Sequence, residues 1–383
     1  MNLRGRSVAL LASVLIMVIA AAQQCLCSPV QQLHSRPDFR QLLQEIGHFS
    51  PAPCGAAPKT AANDDSEANI EFHLFSQAAD TVVRALNEGS SGPPRKRATE
   101  ALEKLEQMSA EINSSWPNDN RFHSQILDLP PALVVKMSIR ADEAFFVFAL
   151  REKGPQGTGR SWQRVGSNNE SREFIGAPSQ IDLYPLHRGP SQNARFLSKA
   201  IYSGCAGSIG VVYDAREWNP NDTGSLETII KQEGAFGLDD KVPDFPQIGE
   251  LRTEGPILTL PYCWFSSIDT WDNPSLCVLD TYDLSGDEVK FRSRTYNRPD
   301  LVPIAKAIEY AQKRDYHAVL GYCASKQVAR KMVRDIPPDV FSAEGLEVSH
   351  TGNGEERVEL GGAYRFDVQK RGERWVVVAF DAK

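Results

Sequence analysis

Residues 132–139 (ALVVKMSI) and residues 144–150 (AFFVFAL) decide the fold class, because both runs are short, apolar and rich in β-branched or aromatic residues. Such composition is typical of β-strands, and runs of this length are short for a helix. The apolar residues are continuous rather than alternating, which indicates strands that are covered on both faces. We therefore predict a β domain with a buried centre.

Residues 121–298 contain three more strand-like segments, at 161–165, 209–213 and 257–261. Gly and Pro residues mark turns between them. We predict an antiparallel β domain over residues 121–298, either a sandwich or an irregular barrel. Within it, we interpret residues 226–233 as a short helix.

Residues 67–120 predict a helical hairpin. Apolar residues recur about every four positions in each half, which places them on one face of a helix. These residues are Ile70, Leu74, Ala78, Val82 and Leu86, followed by Leu102, Leu105, Met108 and Ile112. A turn rich in Gly, Ser and Pro separates the halves, so the two helices should pack antiparallel and bury both stripes.

Residues 299–383 predict an α+β module. Helical spacing of apolar residues indicates one helix over residues 300–311 and a second over residues 316–333, where two prolines follow. Three strands should then form a meander, at 346–349, 357–368 and 374–380. Together with the preceding segments, this order of elements predicts an α+β protein.

The N-terminus predicts export. Residues 1–27 combine two arginines, an apolar run and small residues, which is how a signal peptide is built. The run is short for a membrane span, but an uncleaved N-terminal anchor is the alternative. Residues 28–66 read mostly as a linker, with one short helix. We expect a secreted, periplasmic or cell-envelope protein, or one that is membrane-anchored by this segment.

Composition excludes some partners. The 383-residue chain has a formal net charge of −7. The export signal contains two arginines and no acidic residue, so the rest of the chain is more acidic still. A protein that holds nucleic acid needs a basic surface, so nucleic acid is not an expected partner. An anionic membrane surface is equally disfavoured, so contact with a membrane is expected only through an uncleaved N-terminal segment.

The seven cysteines suggest at least one disulfide bond, because thiols tend to pair outside the cytoplasm. Cys263 and Cys277 form the best pair, since a turn between them could bring two strands side by side. The alternative is that the cysteines are buried, reduced side chains. No Cys-x-x-Cys sequence is present, so neither a redox motif nor a zinc knuckle is encoded.

Residues 262–287 hold the strongest candidate for a ligand site, because aromatic rings and carboxylates alternate there. Rings stack on the apolar face of a sugar, and acids bind its hydroxyl groups. The candidate residues are Trp264, Trp271, Asp269, Asp272, Asp280 and Asp283. We predict a non-catalytic binding or interaction protein, whose partner is a carbohydrate or another envelope protein. The alternative is an exported hydrolase that cleaves polysaccharide with two of these aspartates. A third interpretation is that the tryptophans are core residues and the aspartates cap turns.

Other motifs are weaker. Ser208 lies in an Ala-Gly-Ser-Ile-Gly sequence that is similar to the nucleophile turn of some hydrolases, but a strand-like segment follows it instead of a helix. The acidic run from Asp280 to Asp287 partly resembles a calcium loop. Its alternative is a turn in which Asp283 bonds to backbone donors. The histidines are scattered singly, so neither a metal site nor a cofactor is predicted.

Overall fold

The chain is an α+β protein in which strands predominate. The computed structural model describes residues 38–48, 67–88, 92–140, 142–152, 159–168, 178–203, 209–219, 226–236, 251–264, 266, 268–269, 276–338, 346–352 and 354–383. Among the helices in these ranges, none combines the length and apolarity that a membrane crossing requires. The predicted signal or anchor over residues 1–27 lies outside the described residues and stays a prediction.

Six α-helices are described: α1 (Phe39–Ile46), α2 (Glu67–Glu88), α3 (Pro94–Ile112), α4 (Val302–Gln312), α5 (Tyr316–Leu320) and α6 (Lys326–Asp335). The strands of the first half are β1 (His123–Leu129), β2 (Ala132–Ile139), β3 (Asp142–Glu152), β4 (Arg160–Ser167), β5 (Gln180–Pro185), β6 (Ala194–Ser203), β7 (Ile209–Trp218) and β8 (Leu226–Phe236). Those of the second half are β9 (Arg252–Glu254), β10 (Ile257–Trp264), β11 (Leu276–Asp283), β12 (Lys290–Tyr296), β13 (Leu346–Gly352), β14 (Glu355–Leu360), β15 (Tyr364–Arg371) and β16 (Arg374–Ala382).

The strands form three antiparallel sheets. The first sheet has the order β1-β2-β3-β4, and the C-terminal sheet has the order β13-β14-β15-β16. The middle sheet has the order β12-β11-β10-β8-β7-β6-β5, with β9 paired to one end of β10. The first and C-terminal sheets therefore have two edge strands each, whereas the middle sheet has β12 and β5 at its ends and the short strand β9 as a further edge.

The first sheet is buried on both faces, which explains its continuously apolar strands. On one face, Val135 and Phe146 pack against helices α1 to α3. On the other face, Val134 and Phe145 pack against the middle sheet, where the ring of Phe145 lies 5.6 Å from that of Phe196. Successive residues of a strand point to opposite faces, so a strand between two apolar layers needs no polar positions.

The middle sheet curls, so that one of its faces encloses a core of its own. Side chains from five of its strands belong to one apolar cluster, among them Leu197 on β6, Tyr213 on β7, Ile230 on β8, Leu260 on β10 and Val278 on β11. Strands at opposite ends of a flat sheet are too far apart to share a cluster, because each step across a sheet is about 4.8 Å. The curvature brings the turn after β11 close to β6.

The C-terminal sheet carries α4 to α6 on one face. Ile304 on α4, Met332 on α6 and Phe366 on β15 are fully buried in one cluster. Leu276 at the start of β11 belongs to the same cluster, so this module packs against the end of the middle sheet. The order of helices followed by a meander is the one that the sequence predicted, and the details differ.

Three details of the predicted elements were wrong. Residues 226–236 form strand β8 along β7, not a helix. The segment 357–368 is interrupted by a turn at Gly361 and Gly362, whose φ angles of 57° and 64° favour glycine, so the C-terminal sheet has four strands instead of three. The helical part contains three helices instead of two, because α5 ends at Gly321 and α6 begins after Ser325, whose hydroxyl accepts a hydrogen bond from Val328 N.

Candidate functional site

The structure places the predicted site residues at the end of β10, in the following turn and on β11. Asp280 and Asp283 lie on β11, and Asp269 lies in the turn after β10. The backbone of Trp264 ends β10, and its side chain is outside the described part. Trp271 and Asp272 also lie outside the described residues, as does Ser208. The prediction that the two tryptophans bind a ligand therefore stays a prediction.

Two of the three described aspartates accept hydrogen bonds that stabilise turns. The Asp269 carboxylate accepts hydrogen bonds from Ser266 N at 2.5 Å and from Ser266 Oγ at 2.8 Å. Asp283 accepts a bond from Ser285 N at 2.9 Å, as the turn interpretation predicted, and Arg292 Nη2 donates to it at 2.6 Å. The bonds from Ser285, aided by Arg292, hold the pKa of Asp283 below its usual range.

The acidic turn does not gather ligands for a cation. Asp283 is engaged with Ser285 and Arg292, while Asp287 accepts a hydrogen bond from Ser191 N at 2.9 Å. Among the described residues, no group of three or more His, Cys, Asp or Glu side chains is placed to hold a metal ion. The side chains of this turn serve structure instead.

Asp280 lies at the centre of a buried polar cluster. Its carboxylate is fully buried and is held from two sides by Arg294, with Nε donating to Oδ1 and Nη2 donating to Oδ2, both at 2.7 Å. Tyr262 Oη donates to Oδ2 at 2.8 Å and accepts from Arg294 Nη2 at the same distance. The register pairs Asp280 with Arg294 across β11 and β12. Such bidentate pairs are strong and fixed in direction.

Tyr282 and Gln232 complete what we name the Asp280 cluster: Asp280, Arg294, Tyr262, Tyr282 and Gln232. Gln232 Nε2 donates to Tyr282 Oη at 2.8 Å. Burial and the neighbouring Asp280 raise the pKa values of both tyrosines, so their hydroxyl groups stay protonated and act as donors. The hydrogen bond to Asp280 raises the pKa of Arg294 further above its ordinary value.

One aromatic side chain beside the cluster is exposed. The ring of Phe291 on β12 contacts that of Tyr282 edge to face, with 5.6 Å between centroids, and the Phe291 side chain is 55% exposed. A single large apolar side chain at the surface is common in proteins, so the exposure of Phe291 gains meaning only from the edge position of its strand. Phe291 and the cations Lys290, Arg292 and Arg294 make β12 a basic strand with an aromatic residue.

The predicted disulfide bond is confirmed between Cys263 and Cys277. The two residues are direct partners in the register of β10 and β11, so the bond ties together the strands that carry Tyr262 and Asp280. Cys323, by contrast, is a buried free thiol, and burial raises its pKa to about 12. A thiol with so little thiolate is a poor nucleophile, so exchange with the disulfide is disfavoured.

We expect loss of this disulfide to lower the free energy of unfolding by about 3 kcal/mol, because it closes a loop of roughly fifteen residues. The measurement is thermal unfolding of the protein with and without a phosphine reductant. The Cys263→Ser/Cys277→Ser variant is the control, since its midpoint should already be lowered and should not respond to the reductant. An equal response of both proteins would contradict the prediction.

A second charged cluster was not foreseen from the sequence. Burial opposes ionisation of Asp300, but hydrogen bonds from Arg298 Nε at 3.0 Å and Nη2 at 2.5 Å outweigh it, so the pKa of Asp300 lies below its usual value. Burial and the adjacent Asp300 raise the pKa of Glu356 on β14. Contact of Arg298 and Asp300 with Glu356 fixes the segment between β12 and α4 against the C-terminal sheet. Arg298 and Asp300 are close in sequence, and the tertiary fold adds Glu356 to them.

No family model matches this chain, and no curated protein or solved structure matches it. The class that the fold defines is an α+β protein of three antiparallel sheets. Inferences about its function rest on the residues of β10 to β12.

Proposed function

We propose that this chain is an exported, non-catalytic interaction protein that binds an extended, acidic polypeptide segment along strand β12. One observation carries the proposal: β12 is the edge of the middle sheet and presents a half-exposed phenylalanine among three cations. An edge strand offers main-chain hydrogen bonds to an added strand, and its side chains select the sequence that binds. Because Arg292 and Arg294 are already paired with Asp283 and Asp280, Lys290 is the cation that most favours an acidic partner.

The Asp280 cluster supports this proposal by holding β12 rigid. Arg294 is fixed by two bonds to a fully buried carboxylate, and Phe291 rests against the buried ring of Tyr282. A surface that is already ordered loses little conformational entropy on binding, which raises affinity. The disulfide between β10 and β11 adds to the rigidity behind the strand.

The chemistry of the aspartates favours binding over hydrolysis. A glycoside hydrolase needs one protonated carboxyl group to act as the acid, and a raised pKa provides it. Asp283 has a lowered pKa, and Asp280 is locked to Arg294. Neither carboxylate suits the role of the acid, so the polysaccharide hydrolase is the less favoured proposal.

The disulfide bond supports export of the protein, and the packing of two sheets supports a β-sandwich. A disulfide bond persists in oxidising compartments outside the cytoplasm, which agrees with the N-terminal sequence. For residues 121–298 we infer a sandwich, in which the first sheet packs on the curled middle sheet through Phe145 and Phe196. The helical hairpin then covers the outer face of the first sheet.

Carbohydrate is the second candidate ligand. The exposed ring of Phe291 beside the guanidinium of Arg294 favours it, because an aromatic surface with adjacent donors is the arrangement that sugars require. A sugar would depend on Phe291 and not on the charge of Lys290. The substitution Lys290→Glu therefore distinguishes a carbohydrate ligand from an acidic peptide.

The test is binding of three synthetic peptides by fluorescence anisotropy. One alternates Glu with Val and Thr, the second replaces each Glu by Lys, and the third carries a central Pro in the acidic sequence. We expect the acidic peptide to bind at least about tenfold more tightly than the other two, because charge and strand pairing both contribute. Phe291→Ala and Lys290→Glu should each weaken it.

Lys326→Glu on the exposed surface of α6 is the matched control and should leave peptide binding unchanged. Equal binding of all three peptides would contradict the strand-addition proposal. So would a loss of peptide affinity in Lys326→Glu as large as that in the β12 variants. Binding of soluble glycans that is lost in Phe291→Ala and retained in Lys290→Glu would instead support the carbohydrate candidate.

A further inference from the structure

Both edges of the first sheet are covered by side chains of the helical hairpin. At β4, Asn87 on α2 accepts a hydrogen bond from Trp162 N at 2.9 Å and donates to Trp162 O at 2.9 Å, as a neighbouring strand would do. At β1, Glu106 on α3 accepts a bond from Ser124 N at 2.8 Å. Exposed strand edges invite pairing with other chains, and such caps prevent it.

One edge of the middle sheet and one edge of the C-terminal sheet are covered as well. At β5, Glu143 accepts a hydrogen bond from Ile181 N, while Lys136 Nζ donates to Ile181 O at 2.7 Å. At β16, the segment before α6 adds a short parallel bridge, with Val377 N bonded to Tyr322 O at 2.9 Å. Four sheet edges in the described part, those of β1, β4, β5 and β16, therefore have a specific cover.

Besides the three-residue strand β9, which pairs only with β10, the remaining edges are β12 and β13. Each is seven residues long, and each pairs with a single strand in the part of the chain that the structure describes. Their residues are mostly exposed, including all those from Lys290 to Thr295 and those from Ser349 to Gly352. Among the residues that the structure describes, no side chain caps residues 290–293 as Asn87 caps β4. A seven-residue edge without such a cover offers main-chain hydrogen bonds to an added strand.

The charges of these two edges are opposite. β12 carries Lys290, Arg292 and Arg294 and no acid. β13 carries Glu347 and no Lys or Arg, and the adjoining β14 adds Glu355, Glu356 and Glu359 against a single arginine. Pairing of β12 with another β12 would place cations opposite cations, which is destabilising. Pairing of β12 with β13 would bring the basic strand against Glu347, with the acids of β14 on the next strand.

From these observations we infer that β12 of one molecule adds to β13 of a second copy of this chain. The inference rests on the proposed function and names the partner strand that β12 takes. The contact is head-to-tail, because two different surfaces meet, so it continues from molecule to molecule unless the assembly closes into a ring. Phe291 is covered by the incoming strand.

The experiment is sedimentation velocity of the purified protein over a wide range of concentration. We expect the wild-type protein to self-associate, and Lys290→Glu/Arg292→Glu and Glu347→Lys/Ser349→Lys each to weaken association at least tenfold. A mixture of the two variants should associate again, because each then meets an edge of opposite charge. Circular dichroism checks that both variants are folded.

Lys326→Glu/Gln327→Glu, at exposed positions of α6, is the matched control and should associate as the wild-type protein does. A monomer at every concentration would overturn the inference, as would a mixture of variants that stays dissociated. A monomeric chain that still binds the acidic peptide would overturn the second-copy partner alone and leave the proposed function standing. If the chain is monomeric and also fails to bind the acidic peptide, both the second-copy inference and the proposed function are overturned.

Discussion

Replacement of Arg195 by Met is expected to lower the free energy of unfolding by about 3–5 kcal/mol, because it breaks a buried ion pair by removing one partner. The Arg195 side chain is fully buried on β6, and its Nε donates to Glu217 on β7. Its other nitrogens donate to Leu284 O at 3.1 Å, Gly286 O at 3.0 Å and Asp287 O at 2.5 Å. The substitution leaves the Glu217 carboxylate, whose side chain is 15% exposed, and three carbonyl groups without these donors.

The consequence extends beyond the pair, because Arg195 joins two distant parts of the middle sheet. The carbonyl groups that it binds belong to the turn between β11 and β12, which also approaches Gly189 so closely that a Cβ there would lie 2.5 Å from Gly286 O. Loss of Arg195 should therefore loosen β12 as well. Urea unfolding followed by tryptophan fluorescence measures the stability, and weaker binding of the acidic peptide reports the change at β12.

Two further variants keep this prediction testable if Arg195→Met fails to fold. Arg195→Lys retains the charge with fewer donors and should give an intermediate loss. Lys231→Met removes one partner of an ion pair between Lys231 and Glu233 whose side chains are 43% and 45% exposed, and it should change stability little. Equal losses in Arg195→Met and Lys231→Met would show that burial of the arginine is not decisive.

Features that depend on a local sequence pattern, namely buried strands, amphipathic helices and the disulfide bond, were predicted from the sequence. Continuous apolar runs at β2 and β3 indicated burial on both faces, since no position of such a strand faces water. The spacing of Cys263 and Cys277 indicated a bond between neighbouring strands, and the register of β10 and β11 makes them partners. Apolar repeats likewise indicated α2 and α3 before any tertiary contact was known.

The helix predicted at residues 226–233 failed because a β-bulge changed the apolar spacing. The register of β7 and β8 shifts between Ala215 and Arg216, so Ile229 is an extra residue opposite them. Leu226, Ile229 and Ile230 then fall three and four positions apart, which is also the spacing of a helix face. Strand pairing with β7 decides the conformation, and a local pattern does not contain that pairing.

The site was predicted only in part, because partners on different strands are set by register. Asp280 was a candidate from its aromatic neighbours, but its partner Arg294 is known only once β11 and β12 are aligned. Phe291 was overlooked because a phenylalanine in a strand is ordinarily read as a core residue. Its exposure follows from β12 being an edge, which sequence alone does not specify.

Replacement of Arg294 by Met is expected to cost about 3–5 kcal/mol of stability, whereas replacement of Arg292 by Met should change stability little. The two arginines lie on one strand, and each donates to an aspartate of β11 through Nε and Nη2. They differ in burial: Asp280 is fully buried, while the Arg292 side chain is 54% exposed beside Asp283. The Asp283 side chain is 18% exposed and can regain contact with water when its partner is lost, whereas the fully buried Asp280 cannot.

The double variant Asp280→Asn/Arg294→Met distinguishes a loss of charge balance from a loss of packing. It removes both charges and keeps an acceptor for the Tyr262 hydroxyl group, so it should recover most of the stability that Arg294→Met loses. Urea unfolding of the wild-type protein, both single arginine variants and the double variant measures these differences. A double variant as unstable as Arg294→Met would show that the guanidinium acts through its contacts and not through its charge. Recovery would establish that β12 is anchored to the sheet by a compensated buried charge, which is the rigidity that strand addition at this edge requires.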